Sequence, residues 1–80
     1  MNKRYASKFG PNLQNTLDAI RECEPFNAGN LTGQWIGLDY VVRSYAATIA
    51  TYNGARWELN ERKYSTTTSA HQSVVRRAIT

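Results

Sequence analysis

The sequence predicts an α+β fold: an N-terminal helix, a three- or four-stranded antiparallel β-meander and a C-terminal helix. Three observations predict it. Leu13, Leu17 and Ile20 recur at i, i+4 and i+7, the spacing of one helical face. Residues 39–60 are rich in β-branched and aromatic side chains and are broken by Asn53-Gly54, the preferred two-residue hairpin turn. Val74, Val75, Ala78 and Ile79 then supply a second helical face. Eighty residues make one domain, spanning 1–80, with residues 1–9 as a flexible basic arm.

The elements follow in chain order. Pro11 suits the first position of the first helix, where a missing N–H costs nothing. Pro25 ends that helix near Glu22 and Cys23. Residues 26–30 read as a loop by composition. Residues 31–36 form a short strand, weakened by Gly33. Residues 39–45 form a stronger one, with Tyr40, Val42 and Ser44 on one face and Val41, Arg43 and Tyr45 on the other. Ala46-Ala47 marks either a tight turn or a bulge within one long strand. Residues 48–52 and 55–60 flank the Asn53-Gly54 turn, with Trp57 and Leu59 sharing a face. The helices are expected to cover one face of the sheet.

The most distinctive segment is Lys63-Tyr64-Ser65-Thr66-Thr67-Thr68-Ser69-Ala70-His71-Gln72, with five consecutive hydroxyl side chains. Ser69 to Gln72 fits a capping box, in which the Ser69 hydroxyl accepts from the Gln72 N–H. Thr66, Thr67 and Thr68 would then be a turn or a strand extension. Arg76 and Arg77 fall in the last turn, where cations complement the helix dipole.

Composition narrows the function classes. The apolar share of 41% suffices for one core and argues against intrinsic disorder. No apolar run approaches the ~20 residues of a membrane span, and no signal peptide is recognisable, so a cytoplasmic location is expected. The single cysteine, Cys23, excludes an intrachain disulfide and reads as a partly buried, inert thiol at a helix end. With His71 the only histidine, neither a metal nor another cofactor is expected. Catalysis is not expected either. There is no nucleophile elbow and no Gly-rich phosphate loop, and a triad of His71 with Asp39 and Ser69 has no support in spacing.

The net charge of +4 is unevenly spread. Residues 1–9 carry +3, residues 10–55 carry −2 and residues 56–80 carry +3. Basic ends around a mildly acidic middle point to a polyanionic partner. The candidate surface is Arg56, Arg62, Lys63, Tyr64, Thr66, Thr67, Ser69, His71, Gln72, Arg76 and Arg77. Exposed hydroxyls, clustered cations and a helix N-terminus are what contacts to a phosphate backbone use, and Trp57, Tyr52 and Tyr64 could add stacking. No sequence-specific nucleic-acid motif accompanies them.

Residues 40–45, the triplet Thr48-Ile49-Ala50, Trp57 and the Lys63-to-Gln72 segment together resemble a family of small proteins encoded by actinobacterial phages and mobile elements. The family pattern is Y-x-V-x-S-Y-x-T-x-I-A, a hairpin with a tryptophan, then K-Y-S-x-T-T-S-x-H-Q. The likeness covers residues 40–77 and departs at Ala47-Thr48, where the pattern has threonine one position earlier. It implies a phage origin and a non-enzymatic accessory role in a bacterial host, with no catalytic residues to carry over. Two functions are therefore expected. One is binding of nucleic acid or a nucleoprotein through the basic C-terminal surface. The other is inhibition of a host protein, such as an anti-CRISPR-like block of a defence complex, with Trp35, Tyr45 or the open sheet face as the contact. A homodimer through an edge strand is compatible with both.

Overall fold

A computed structural model describes residues 13–80. The basic arm at 1–9 and the Gly10-Pro11 helix opening lie outside the described residues. Helix α1 spans Leu13–Arg21 and helix α2 spans Thr66–Ile79. Between them run five strands: β1 Phe26–Ala28, β2 Leu31–Ile36, β3 Asp39–Ser44, β4 Ala47–Tyr52 and β5 Trp57–Leu59. They form one antiparallel sheet in sequence order. The α+β expectation holds, but the sheet has five strands rather than three or four.

The additional strand is β1, in the segment that composition assigned to a loop. Phe26 is buried and pairs with Gly33, and only residues 29 and 30 turn. Gly29 takes positive φ, and its N–H donates to the Asn27 side chain. The Asn and Gly of this stretch thus serve a hairpin turn and not a longer loop.

Both helices lie on one face of the sheet. Leu17, Ala19 and Ile20 of α1 and Val75 and Ala78 of α2 share a core with Phe26, Leu31, Tyr40, Val42, Ile49 and Ala50. Tyr40, Val42 and Ser44 all point into it, as their alternation predicts. Leu13 does not: it is 46% exposed, and Thr16 and Ala19 take the buried positions beside Leu17 and Ile20. The inward stripe of α1 is therefore rotated from the one its leucines suggest.

Ala46 belongs to a tight turn with Tyr45, which has φ 57°, and Ser44 pairs with Ala47 across it. A bulge is present as well, further along the same hairpin. Val42 pairs with Ala50 but Arg43 pairs with Thr48, so Ile49 is the extra residue. The bulge lets the consecutive residues Ile49 and Ala50 both enter the core. The Asn53-Gly54 hairpin also differs from expectation. Tyr52 pairs with Trp57, leaving a four-residue loop in which the Asn53 side chain accepts from the N–H groups of Ala55 and Arg56. Asn53 spends its carboxamide on an Asx-type turn in place of the tight two-residue one.

Helix α1 ends in a Schellman motif. The N–H of Glu24 bonds Ala19 O and that of Cys23 bonds Ile20 O, with Cys23 at φ 52°. The Cys23 thiol is half-buried, and burial raises its pKa. The carbonyls beyond the helix are taken up by the sheet: Trp35 Nε1 donates to Cys23 O and the Tyr40 hydroxyl to Glu24 O. Arg21 closes the other helix, donating to Ala78 O in the last turn of α2.

Candidate functional site

The hydroxyl run is helical from Thr66, one turn earlier than a cap at Ser69 would allow. Ser65 is the N-cap: its backbone is extended, and its side chain accepts from Thr68 N. The Ser69 N–H bonds Ser65 O inside the helix, so Ser69 does not cap, and Thr66 to Thr68 are neither turn nor strand. The reason lies on the buried face. Thr68, Gln72, Val75 and Ala78 point inward, so the first half of that stripe is polar and only the second half apolar. Apolar periodicity cannot find a helix whose first buried residues are Thr and Gln.

Each of those polar residues has a partner. The Ser44 hydroxyl, 0% exposed at the end of β3, lies 3.1 Å from Thr68 Oγ1 and 2.6 Å from His71 Nδ1. The Ser65 hydroxyl extends the chain to Thr68. The Tyr45 ring lies 6.5 Å from that of His71. Burial lowers the His71 pKa, so the ring is neutral at neutral pH. A serine hydroxyl beside an imidazole has the composition of a nucleophile and base. Here, however, the hydroxyl is sealed in the core, so the pair can pin α2 to the sheet but cannot meet a substrate. Asp39 stands at the opposite end of β3 from Ser44, so a His71–Asp39–Ser69 triad does not assemble.

Residues 60–65 form a strap laid along α2. Gln72 Nε2 donates to Asn60 O at 2.7 Å and Arg62 O at 3.0 Å. Asn60 Nδ2 donates to Thr48 O and to the Tyr64 hydroxyl. Arg76 pairs with Glu61 at 3.1 Å, both ends exposed. The strap thus brings part of the candidate surface together. Arg62 and Lys63 are exposed, and the Arg62 guanidinium lies 5.9 Å from the Tyr64 ring centroid. Thr66 and Thr67 are exposed in the first turn, and Arg77 is exposed near its end. Arg56 is not with them: it sits in the β4–β5 loop, beyond the far end of β5. Ser69 and His71 are half-buried, and Gln72 is buried with its donors engaged within the protein.

Tyr52 and Trp57 are not a free stacking platform. Trp35, Tyr40, Tyr52 and Trp57 are cross-strand partners in one row across β2 to β5. Their ring centroids are 5.6, 6.0 and 5.2 Å apart for Trp35–Tyr40, Tyr40–Trp57 and Tyr52–Trp57. Composition and spacing missed Ser44, Thr68 and Asn60 as organising residues. Only Ser44 carried a signal, as a small polar residue on an otherwise apolar strand face.

The other face of the sheet carries Thr32, Gln34, Val41, Arg43, Thr48, Thr51 and Glu58. A shallow concavity of about 300 Å³ beside it is lined by Thr48, Ala50, Thr51, Glu58, Leu59 and Asn60. Among the described residues no cluster of His, Cys, Asp and Glu could hold a metal, and no helix is long and apolar enough to cross a membrane. The chain matches no family model, and no curated protein or solved structure matches it.

Proposed function

We propose that this chain is a non-enzymatic binding protein that engages nucleic acid, or a nucleoprotein, through the strap and the first turn of α2. One observation carries the reading. Arg62 and Lys63 are exposed on a strap that Gln72 grips by the Arg62 carbonyl, immediately before a helix start where Thr66 and Thr67 present their hydroxyls. Phosphate accepts hydrogen bonds from guanidinium, ammonium and hydroxyl groups, and this edge exposes all three. The exposed Arg76–Glu61 pair is weak enough for a phosphate to compete with the carboxylate. His71, Gln72 and Tyr64 support the edge from behind, and Arg56 lies outside it. With Tyr52 and Trp57 held in the aromatic row, contact would be to the backbone and tolerant of sequence. The resemblance to phage and mobile-element proteins supports a role inside a bacterial host.

Mobility shifts at two salt concentrations test this. Binding should strengthen as salt falls, and Arg62→Glu with Lys63→Glu should weaken it at least about tenfold and flatten the salt slope by about 2. Absence of a shift with any DNA or RNA at low salt rejects the reading.

A further inference from the structure

The β3–β4 turn holds an aromatic residue in a backbone conformation that does not favour it. Tyr45 has φ 57° as the first residue of its two-residue turn, a position where glycine costs least. Core packing does not account for the tyrosine, because it is 55% exposed. The ring is nevertheless fixed in place. Tyr45 N–H donates to Asn30 O at 2.7 Å, and the ring leans on His71. Ser44, the preceding residue, is locked to Thr68 and His71. A bulky side chain kept at positive φ with its ring in solvent calls for a reason outside the fold.

Resting on the nucleic-acid reading above, we propose that Tyr45 is a stacking platform for one unpaired base, so that the strand held at the basic edge is single-stranded. Position argues for it. The hydroxyl chain Ser44–Thr68–Ser65 runs from the residue before Tyr45 to the cap of α2, two residues after Lys63. Thr67 is exposed and lies one helical turn before His71, on the flank that Tyr45 touches. The ring, an exposed hydroxyl and the strap cations thus share one end of the molecule. Charge argues for it too. Helix α2, residues 26–36 and residues 40–57 contain no Asp or Glu. The carboxylates of the described residues stand elsewhere. Asp39 is at the other end of β3, Glu58 is on the open sheet face and Glu61 pairs with Arg76. Asp18, Glu22 and Glu24 lie toward the end of α1 that Trp35 contacts. None of them opposes a phosphate beside the ring. The ring itself selects single strands. A base stacks on it only with a free face, and duplex bases already cover one another. Any base can stack, so binding stays tolerant of sequence.

Fluorescence anisotropy of the full chain tests this with three labelled DNA probes of about 12 nucleotides, a length one small domain can span. They are a single strand of mixed sequence, its duplex, and a strand with every base replaced by an abasic site. The single strand should bind at least about tenfold more tightly than the abasic strand, and more tightly than the duplex. Tyr45→Asn, which suits positive φ, should erase that margin and leave abasic binding and the salt slope unchanged. Tyr45→Phe should keep the margin, and Lys63→Glu should weaken all three probes. Tyr45→Asn should retain the wild-type melting temperature; if it does not, Tyr45→Gly replaces it. Equal binding of the abasic and normal strands, preference for the duplex, or a margin that survives loss of the ring overturns the proposal. So does an equal loss on the abasic strand, which would make Tyr45 a residue that only shapes the edge. In those cases a persisting effect of Lys63→Glu leaves the backbone reading standing. Failure of all three probes to bind rejects that reading and the platform with it.

Discussion

The two ends of the sheet are finished in opposite ways. At the β3–β4 end the polar groups turn inward: Ser44, Thr68, Ser65 and His71 bond one another and hold α2 in place. At the β2–β3 end the apolar groups turn outward, with Ile36 and Leu38 left beyond an aromatic row. The segment whose composition suggests function is thus largely consumed by structure. The segment whose composition suggests an ordinary hairpin carries the surface that structure does not use. Polar side chains point to a partner only when their bonds are not already made inside the fold.

The aromatic end should break hardest, at Gly33. A Cβ there would overlap the Tyr40 hydroxyl and the Phe26 ring, 2.7 Å from its Cδ1. Neither neighbour can retreat cheaply. Phe26 is buried, and Tyr40 is buried with its hydroxyl bonded to Glu24 O. Gly33→Ala should cost about 3 kcal/mol, the upper part of the range for overpacking, and lower the melting temperature by roughly 4–8 °C per kcal/mol. A loss under about 1 kcal/mol would show that the row is loosely packed.

A smaller effect separates the two possible helix starts. Ser65→Ala removes the side-chain oxygen that accepts from Thr68 N and should cost about 1 kcal/mol. Ser69→Ala removes a half-buried hydroxyl with no capping role and should stay within about 0.5 kcal/mol. Denaturant midpoints of the two variants decide the matter. The reverse order would return the cap to Ser69 and detach Ser65 from the network that pins α2.

Much of the fold was legible because strand alternation and helical spacing depend on apolar contrast. The inward face of residues 40–44 was readable from alternation, Tyr40, Val42 and Ser44 all being buried, although Val41 on the other face is buried as well. The Ile49 bulge was not locatable from spacing, because two consecutive core residues break the period on which such reading rests. β1 was hidden by its three-residue length and its Asn and Gly neighbours, whose turn chemistry is real but applies to residues 29 and 30. For the candidate site, Arg62, Lys63, Thr66 and Thr67 were legible as an exposed group. His71 and Gln72 lie in the same stretch but face inward, and the polar stripe of α2 gave no periodic signal of that. Ile36 read as a strand residue and Leu38 drew no assignment, since sequence cannot say that nothing packs over a hairpin tip.

The least effect, and the most diagnostic of the polar end, is the pH response of His71. Burial lowers its pKa in the folded chain below the ordinary 6.5. Well above that value the ring is neutral in both states and contributes no pH dependence. As pH falls through 6.5 the unfolded chain takes up the proton first, so stability declines until the lower folded pKa is reached and then levels off. Because the ring is only half-buried, the decline should be slight. His71→Asn retains a group able to bond Ser44 but cannot titrate. Carboxylates titrate in both proteins, so the difference in melting temperature between them isolates the ring. Wild type should lose ground to the variant between roughly pH 7 and pH 5. The opposite sign has a definite meaning. A protonated Nδ1–H would donate to Ser44, which in turn donates to Thr68, and wild type would gain as pH falls only if that charged bond outweighed the cost of burying the cation.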